Sequence, residues 1–419
     1  MPKAIRLFKT VVVFLLSTTL YANSDISTKT QIKLIVPSGV TSDLSRLYLD
    51  IIKNFEKKHP NINVEFHPQN SYEDAQDTVL HFTNQHKSAG VSIVELSQLP
   101  TLIKSNSIIA FDKFLKSDKS FINRFIPKFL SNSYGNDKKV YGLPIFRSTP
   151  IIYYNMDRLH KIGISKANLP QTWQALKSML HKIKNMTGKA PLLLASEWYD
   201  WLFESFVVQS QGSLNGLDYG NVDFNSSAAI EALSFWKELK DEGLMVRRKG
   251  SWKSAINLIA HGKYPVTYYS TAGMGKLLEE NKIDWTTDIM PKNRVYAASV
   301  GAASIFLSNY MSPDEEIASW KLVKFLLSQS QQVKISLASG YFPVIKSAFE
   351  HEKVKKRYSL PPFKKAKEQL AFTHPKIMVP HYSKVRVILK KAIDRSLDEA
   401  MDPQKSLTIA QQEVQKWLE

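Results

Sequence analysis

Hydroxyls, aromatic rings, one carboxylate and one arginine stand where strands end or change direction in this chain. Such a set recognises a solute rather than transforming one. Glu95 closes the apolar run 91–95, where it either meets a ligand at the end of a parallel strand or caps the helix expected over 97–104. Arg147, Ser148 and Thr149 are wedged between two apolar runs within 141–157. Trp198 and Trp201 follow the buried run 191–196 and, three apart, share one helical face; they are either core aromatics or a platform for the carbon face of a polyol or sugar. Ser270 leads Ser-Thr-Ala-Gly onto a helix start, either as an ordinary N-cap or as part of a phosphate cradle over 270–273 built from free backbone N–H groups. Tyr341 lies in Gly-Tyr-Phe-Pro, and Arg386 in the helix that begins at 384 and runs to 401.

Reactive chemistry has no comparable support. The ten histidines form no His-Glu-x-x-His or His-x-His pattern, and no Gly-x-Ser-x-Gly elbow, Walker loop or Rossmann glycine triplet occurs. Glu315 and Glu316 sit in an acidic helix start, which the helix dipole accounts for. The expectation is therefore no enzyme, no metal and no cofactor.

The elements that must position these residues alternate between strand and helix. The run 32–36 is a buried strand, residues 44, 47, 48, 51, 52 and 55 recur at helical spacing, and 61–66 alternates as a second strand, so an α/β layer opens the chain. With 419 residues, two domains are expected. Lys3, Arg6 and Lys9 precede an apolar run over 11–16 and the sequence Leu-Tyr-Ala at 20–22, which reads as a secretion signal over residues 1–22. The absence of cysteine excludes disulfides, thiolate zinc sites and cysteine nucleophiles. These features describe an exported periplasmic protein stabilised by packing alone. A net charge of +18 raises the question of polyanion binding, but the lysines are spread thinly, and the densest group, around Lys353 to Lys367, lies on helical mixed-charge sequence. No nucleic-acid partner is expected.

The pattern Pro144-x-x-x-Ser-Thr-Pro-x-x-Tyr-Tyr-Asn-x-Asp157 resembles the first hinge strand of extracellular solute-binding proteins of carbohydrate-type ABC importers. Glu-Lys-Lys-His-Pro-Asn-Ile-Asn-Val over 56–64 and Gly-Tyr-Phe-Pro over 340–343 are further family signatures, and the likeness is strongest to the branch that binds sn-glycerol-3-phosphate. The resemblance implies an α/β, two-lobed periplasmic binding protein fold with a hinge and a ligand cleft between the lobes. Lobe 1 would comprise residues 23–147 and 301–350, and lobe 2 residues 148–300 and 351–419, with chain crossings near 147–151, 298–302 and 345–360. It further implies ligand contacts at Tyr72, Glu95, Ser148, Ser270, Tyr341 and Arg386, the arginine fork taking phosphate oxygens and Glu95 the glycerol hydroxyls.

Two departures stand out. Ala302 follows Gly301 where the family has a second glycine that offers a backbone contact, and Arg147 stands where an uncharged residue is usual, as a possible additional phosphate contact. The function implied is a monomeric periplasmic binding protein that delivers glycerol-3-phosphate or glycerophosphodiesters such as glycerophosphocholine to an inner-membrane permease with its cytoplasmic ATPase. The alternatives are a neutral sugar or oligosaccharide binder of the same fold and, from another class, a periplasmic phosphodiesterase.

Overall fold

The structure, a computed structural model, describes residues 29–38, 44–195, 198–216, 220–248 and 250–418. The secretion signal expected over residues 1–22 lies outside the described residues. The chain forms two α/β lobes, each built on its own sheet.

In the first lobe, strand Thr30–Val36 lies parallel between Ile62–Pro68 and Val91–Glu95. The helix Ser45–Lys58 between the first two strands buries Tyr48, Ile51, Ile52 and Phe55, a single stripe at helical spacing. The next helix, Tyr72–Asn84, starts where the Ser71 side chain accepts a hydrogen bond from the Asp74 N–H at 3.0 Å. The sheet is completed from far along the chain. Strand Gly301–Ser308 runs antiparallel to Val91–Glu95, and its other edge takes Leu143–Ser148 and Ile108–Ile109. Every residue of Gly301–Ser308 is buried, as a strand covered on both faces requires.

The second sheet has the order Trp285–Asp288, Pro150–Asn155, Val266–Ser270, Leu192–Ala195, Met245–Arg248. Helix Trp173–Thr187 is capped by Thr172 and stops at Gly188, whose φ of +66° is the left-handed conformation that glycine adopts without penalty. Helices Tyr199–Gln209, Ser227–Asp241, Tyr382–Leu397 and Pro403–Leu418 pack together in this lobe. Among the described residues no helix is long and apolar enough to cross a membrane.

The backbone passes from one sheet to the other at Thr149, between Leu143–Ser148 and Pro150–Asn155. That residue is held at three points: its N–H donates to Thr271 Oγ1 at 3.2 Å, its carbonyl accepts from the Thr271 N–H at 2.9 Å, and its hydroxyl accepts from Gln369 Nε2 at 2.8 Å. A second passage is at Val300, whose N–H donates to the His374 carbonyl at 2.9 Å beside the short pairing of Ala298–Ser299 with Thr373–His374. A third follows helix Glu352–Tyr358, since Pro361–Gln369 packs on Trp285–Asp288.

Just after the second passage the backbone is unusual. A Cβ on Gly301 would lie 2.5 Å from the Trp201 ring, so that close approach requires glycine. Ala302, next to it, has φ of +86°, a conformation in which its methyl group meets the backbone. The alanine substitution noted in the sequence therefore stores strain on the cleft wall. Ala302→Gly is expected to raise the unfolding free energy by up to about 1 kcal/mol, partly offset by the added freedom of the unfolded chain. Urea denaturation checks this, through a higher midpoint at unchanged slope.

Candidate functional site

Between the lobes lies a cleft of about 520 Å³. Nine of the residues singled out from the sequence line it: Tyr72, Glu95, Ser148, Trp198, Trp201, Ser270, Ala302, Tyr341 and Arg386. Ser148 ends the strand that leads into Thr149 and pairs in register with Gly301, so one crossing places both in the wall. Tyr341 stacks on Phe146 with centroids 4.6 Å apart, and its hydroxyl lies 3.3 Å from that of Tyr72.

Two ion pairs, one buried and one partly buried, give the cleft its electrostatic character. Glu95 takes the capping role: Oε2 accepts from the Ser97 N–H at 2.9 Å, closing the following turn, while Oε1 takes Lys376 Nζ at 2.7 Å. Lys376 also lies over the Tyr382 ring at 4.9 Å. Burial pulls the pKa of this ammonium down, but Glu95, with Tyr382 and Asp200, more than reverses that and holds it above the usual lysine range. Arg386 Nε donates to Asp200 Oδ2 at 2.7 Å, and Nη1 to Glu73 Oε1 at 2.7 Å. Its pKa is likewise raised: burial opposes the charge, and Asp200, with Tyr382 and Glu73, outweighs it. For Asp200, burial pushes the carboxyl up, and Arg386, Lys376 and Lys390 together bring it below the ordinary carboxylate value.

The aromatic wall is larger than the sequence indicated. Trp198 stacks on Trp252 with centroids 5.3 Å apart and planes 14° from parallel, and meets Trp201 edge-on at 6.0 Å. The Trp201 ring N–H donates to the Ser299 and Val300 carbonyls at 3.1 and 3.2 Å, tying the second lobe to the crossing strand. The Trp198 ring N–H and Asp200 Oδ1 are buried without a partner among the described residues. Asp200, Lys376, Tyr382 and Trp252 were not anticipated. A tryptophan directly after the helix-capping Ser251 was a usable signal; the other three have none, because their roles depend on partners remote in sequence.

Two expectations are corrected. Arg147 does not reach the cleft: it is fully buried in the first lobe, where its guanidinium donates to the Phe146, Phe129 and Ala303 carbonyls and to Ser304 Oγ. Burial lowers its pKa to about 9, against the opposing pull of Glu95 and Tyr72, so it remains a cation at neutral pH and serves as a cross-strand brace. The phosphate cradle over 270–273 is closed as well. The Thr271 N–H is taken by the Thr149 carbonyl and the Ala272 N–H by Ser270 Oγ, and of the four residues only Ser270 lines the cleft. Among the described residues, no group of three or more histidine or carboxylate side chains converges as a metal site.

Behind the cleft, one turn after Asp200, Glu204 is buried, with Oε1 accepting from the Ile377 N–H and Oε2 without a partner among the described residues. Burial raises its pKa to about 8, with Asp200 and Glu95 adding to the rise and Lys376 and the Ile377 N–H opposing it, so at neutral pH it is a neutral acid.

The sequence model of a family described as bacterial extracellular solute-binding protein matches residues 50–362. The sn-glycerol-3-phosphate-binding periplasmic protein UgpB of Rhizobium meliloti is 26% identical over 250 residues, 56% of each chain. Its counterpart in Brucella melitensis is 26% identical over 252 residues, 57% of this chain and 56% of its own. The match thus spans a little over half the length of these relatives. UgpB from Mycobacterium tuberculosis, solved in complex with glycerophosphocholine, superposes with a TM-score of 0.81 at 18% identity, covering 92% of this chain and 98% of its own. Maltose-bound MalE3 of T. maritima gives 0.79 at 19%, covering 93% and 100%. At such identities the superpositions show the fold, a two-lobed periplasmic binding protein.

Two outcomes test these assignments. Arg147→Met is expected to destabilise the protein by about 3 kcal/mol or more, because it strands buried acceptors, while solute affinity stays unchanged; denaturation and titration of the same preparation check both. For Glu204 the native state holds a proton that the unfolded chain releases at its lower pKa. Stability should therefore be fully present below the ordinary carboxyl pKa and fall as pH rises toward 8, by at most about 1.4 kcal/mol per pH unit. Glu204→Gln should flatten that part of a stability profile measured from pH 5 to 8.

Proposed function

The chain belongs to the bacterial extracellular solute-binding family, and we propose that it captures a small organic phosphate in the periplasm and presents it to a membrane ABC permease driven by a cytoplasmic ATPase. The solute we assign is sn-glycerol-3-phosphate or a glycerophosphodiester such as glycerophosphocholine. The observation that carries this reading is the pairing of two cations, the buried Lys376 and the partly buried Arg386, with the hydroxyls of Tyr72, Ser148, Ser270 and Tyr341 in one inter-lobe cleft. Guanidinium and ammonium donors hold phosphate oxygens, neutral hydroxyls complete the shell, and Glu95 accepts from ligand hydroxyls. The relatives that bind sn-glycerol-3-phosphate and the fold match to a glycerophosphocholine complex support it. Because carboxylates stand beside both cations, a ligand of low net charge is the better counterpart. A zwitterionic diester meets that condition, with its ammonium against the Trp198–Trp252 stack.

A neutral sugar is the second reading. The three tryptophans in the cleft and the carboxylates already on Arg386 favour it, since sugar hydroxyls need no unpaired cation.

Thermal-shift titration of the mature protein with glycerol-3-phosphate, glycerophosphocholine and maltose separates the two. A ligand at 100 times its dissociation constant should stabilise the native state by about 2.7 kcal/mol. Arg386→Ala should weaken phosphate binding by about 2 to 5 kcal/mol, read as a dissociation constant by calorimetry on folded variant. A shift with maltose alone would discard the phosphate assignment and leave the family standing.

A further inference from the structure

Among the described residues, two carboxylates share Arg386, and they are not equivalent. Asp200 belongs to the same lobe, on helix Tyr199–Gln209 packed against Tyr382–Leu397, and its side chain is only 3% exposed. Releasing it would strand a buried anion. Glu73 comes from the other lobe, in the first turn of helix Tyr72–Asn84, and its side chain is 52% exposed. When it lets go of the guanidinium it meets water and remains at a helix N-terminus, where a negative charge is favoured. The two bonds to Arg386 are the same length, 2.7 Å, yet one is permanent and the other exchangeable.

We propose that Glu73 is the specificity-determining competitor of the bound solute: its carboxylate holds Arg386 across the cleft until an anionic group of the ligand takes its place. A carboxylate and a phosphate both present anionic oxygens to a guanidinium, so a phosphate oxygen can take the Nη1 contact that Glu73 gives up. A neutral solute cannot make the exchange and leaves the Glu73–Arg386 contact standing. Glu73 thus lowers affinity for anions alone, and its return to Arg386 assists their release. It also ties helix Tyr72–Asn84 of one lobe to Tyr382–Leu397 of the other, as does Ser383, one helical turn from Arg386, which accepts from Gln98 Nε2 at 2.8 Å and donates to Gln76 Oε1 at 3.0 Å.

The experiment compares wild type with Glu73→Gln, which keeps side-chain length at a half-exposed position. Calorimetric titration with glycerol-3-phosphate and glycerophosphocholine, with maltose as the neutral control, is joined to small-angle scattering of the ligand-free proteins. The titration rests on the organic-phosphate reading, whereas the scattering does not. Affinity for the phosphates should rise about two- to five-fold in Glu73→Gln, the range of a half-exposed ion pair, with any maltose affinity unchanged; the radius of gyration should increase as the cross-cleft tie is lost. An unchanged or weaker phosphate affinity overturns the proposal whatever the scattering shows. Where wild type takes up neither phosphate, the substrate reading fails by itself and the scattering decides: a larger radius in Glu73→Gln supports the tie, and an equal radius overturns it.

Discussion

The cleft depends on one constraint: a charge taken out of water has to be met by another. Arg386 with Asp200 and Lys376 with Glu95 satisfy it in pairs, and each pair fixes the backbone that carries it. Lys376 can lie against Glu95 only because its own N–H and carbonyl are clasped by the Asn132 side chain, at 3.1 and 2.8 Å, and because the next residue donates to Glu204. That short segment, contacted from both lobes, is therefore as much a part of the site as the strands that end in it. Glu204 completes the arrangement from behind by staying protonated, since a third anion there would upset the balance of the two pairs.

Packing at the second chain crossing links these charges to the aromatic wall. Trp201 rests on Gly301 and donates to the two carbonyls just before it, so the ring from one lobe is seated on the strand of the other. The strained Ala302 is held between that contact and the pairing with Arg147 in the adjacent strand. Arg147, bonded to carbonyls and a serine hydroxyl rather than to a carboxylate, braces the edge of Gly301–Ser308 without adding a negative charge near the cleft.

Much of this was legible from local pattern. The stripe of Tyr48, Ile51, Ile52 and Phe55 and the strand-turn-strand around Ser148 follow from patterns that act over a few residues. The nine cleft residues could be named because strand ends and a family resemblance point at them. What could not be read was how they are paired. Arg386 looked like an open fork, yet its partners Glu73 and Asp200 lie far away in sequence, and no spacing rule connects them. Lys376 sits in an irregular stretch with no periodicity at all. Arg147 misled for a different reason: a lone arginine beside Ser148 resembles a ligand contact, whereas its place in a strand buried on both faces was the better guide. The 270–273 turn failed similarly, because the N–H groups that seemed open are consumed by Thr149 and by Ser270 itself.

The route of the first sheet has a consequence for how the protein is made. Its central strand, Gly301–Ser308, is separated from its partner Val91–Glu95 by the whole first portion of the second lobe. Until that strand emerges from the ribosome, Val91–Glu95 has an open edge and the parallel layer beside it lacks its antiparallel half. Such long-range pairing makes folding slow, and an unfinished edge exposes the nascent chain to misassociation. The topology that puts Ser148 and Gly301 side by side at the cleft therefore also times when the first lobe can become compact.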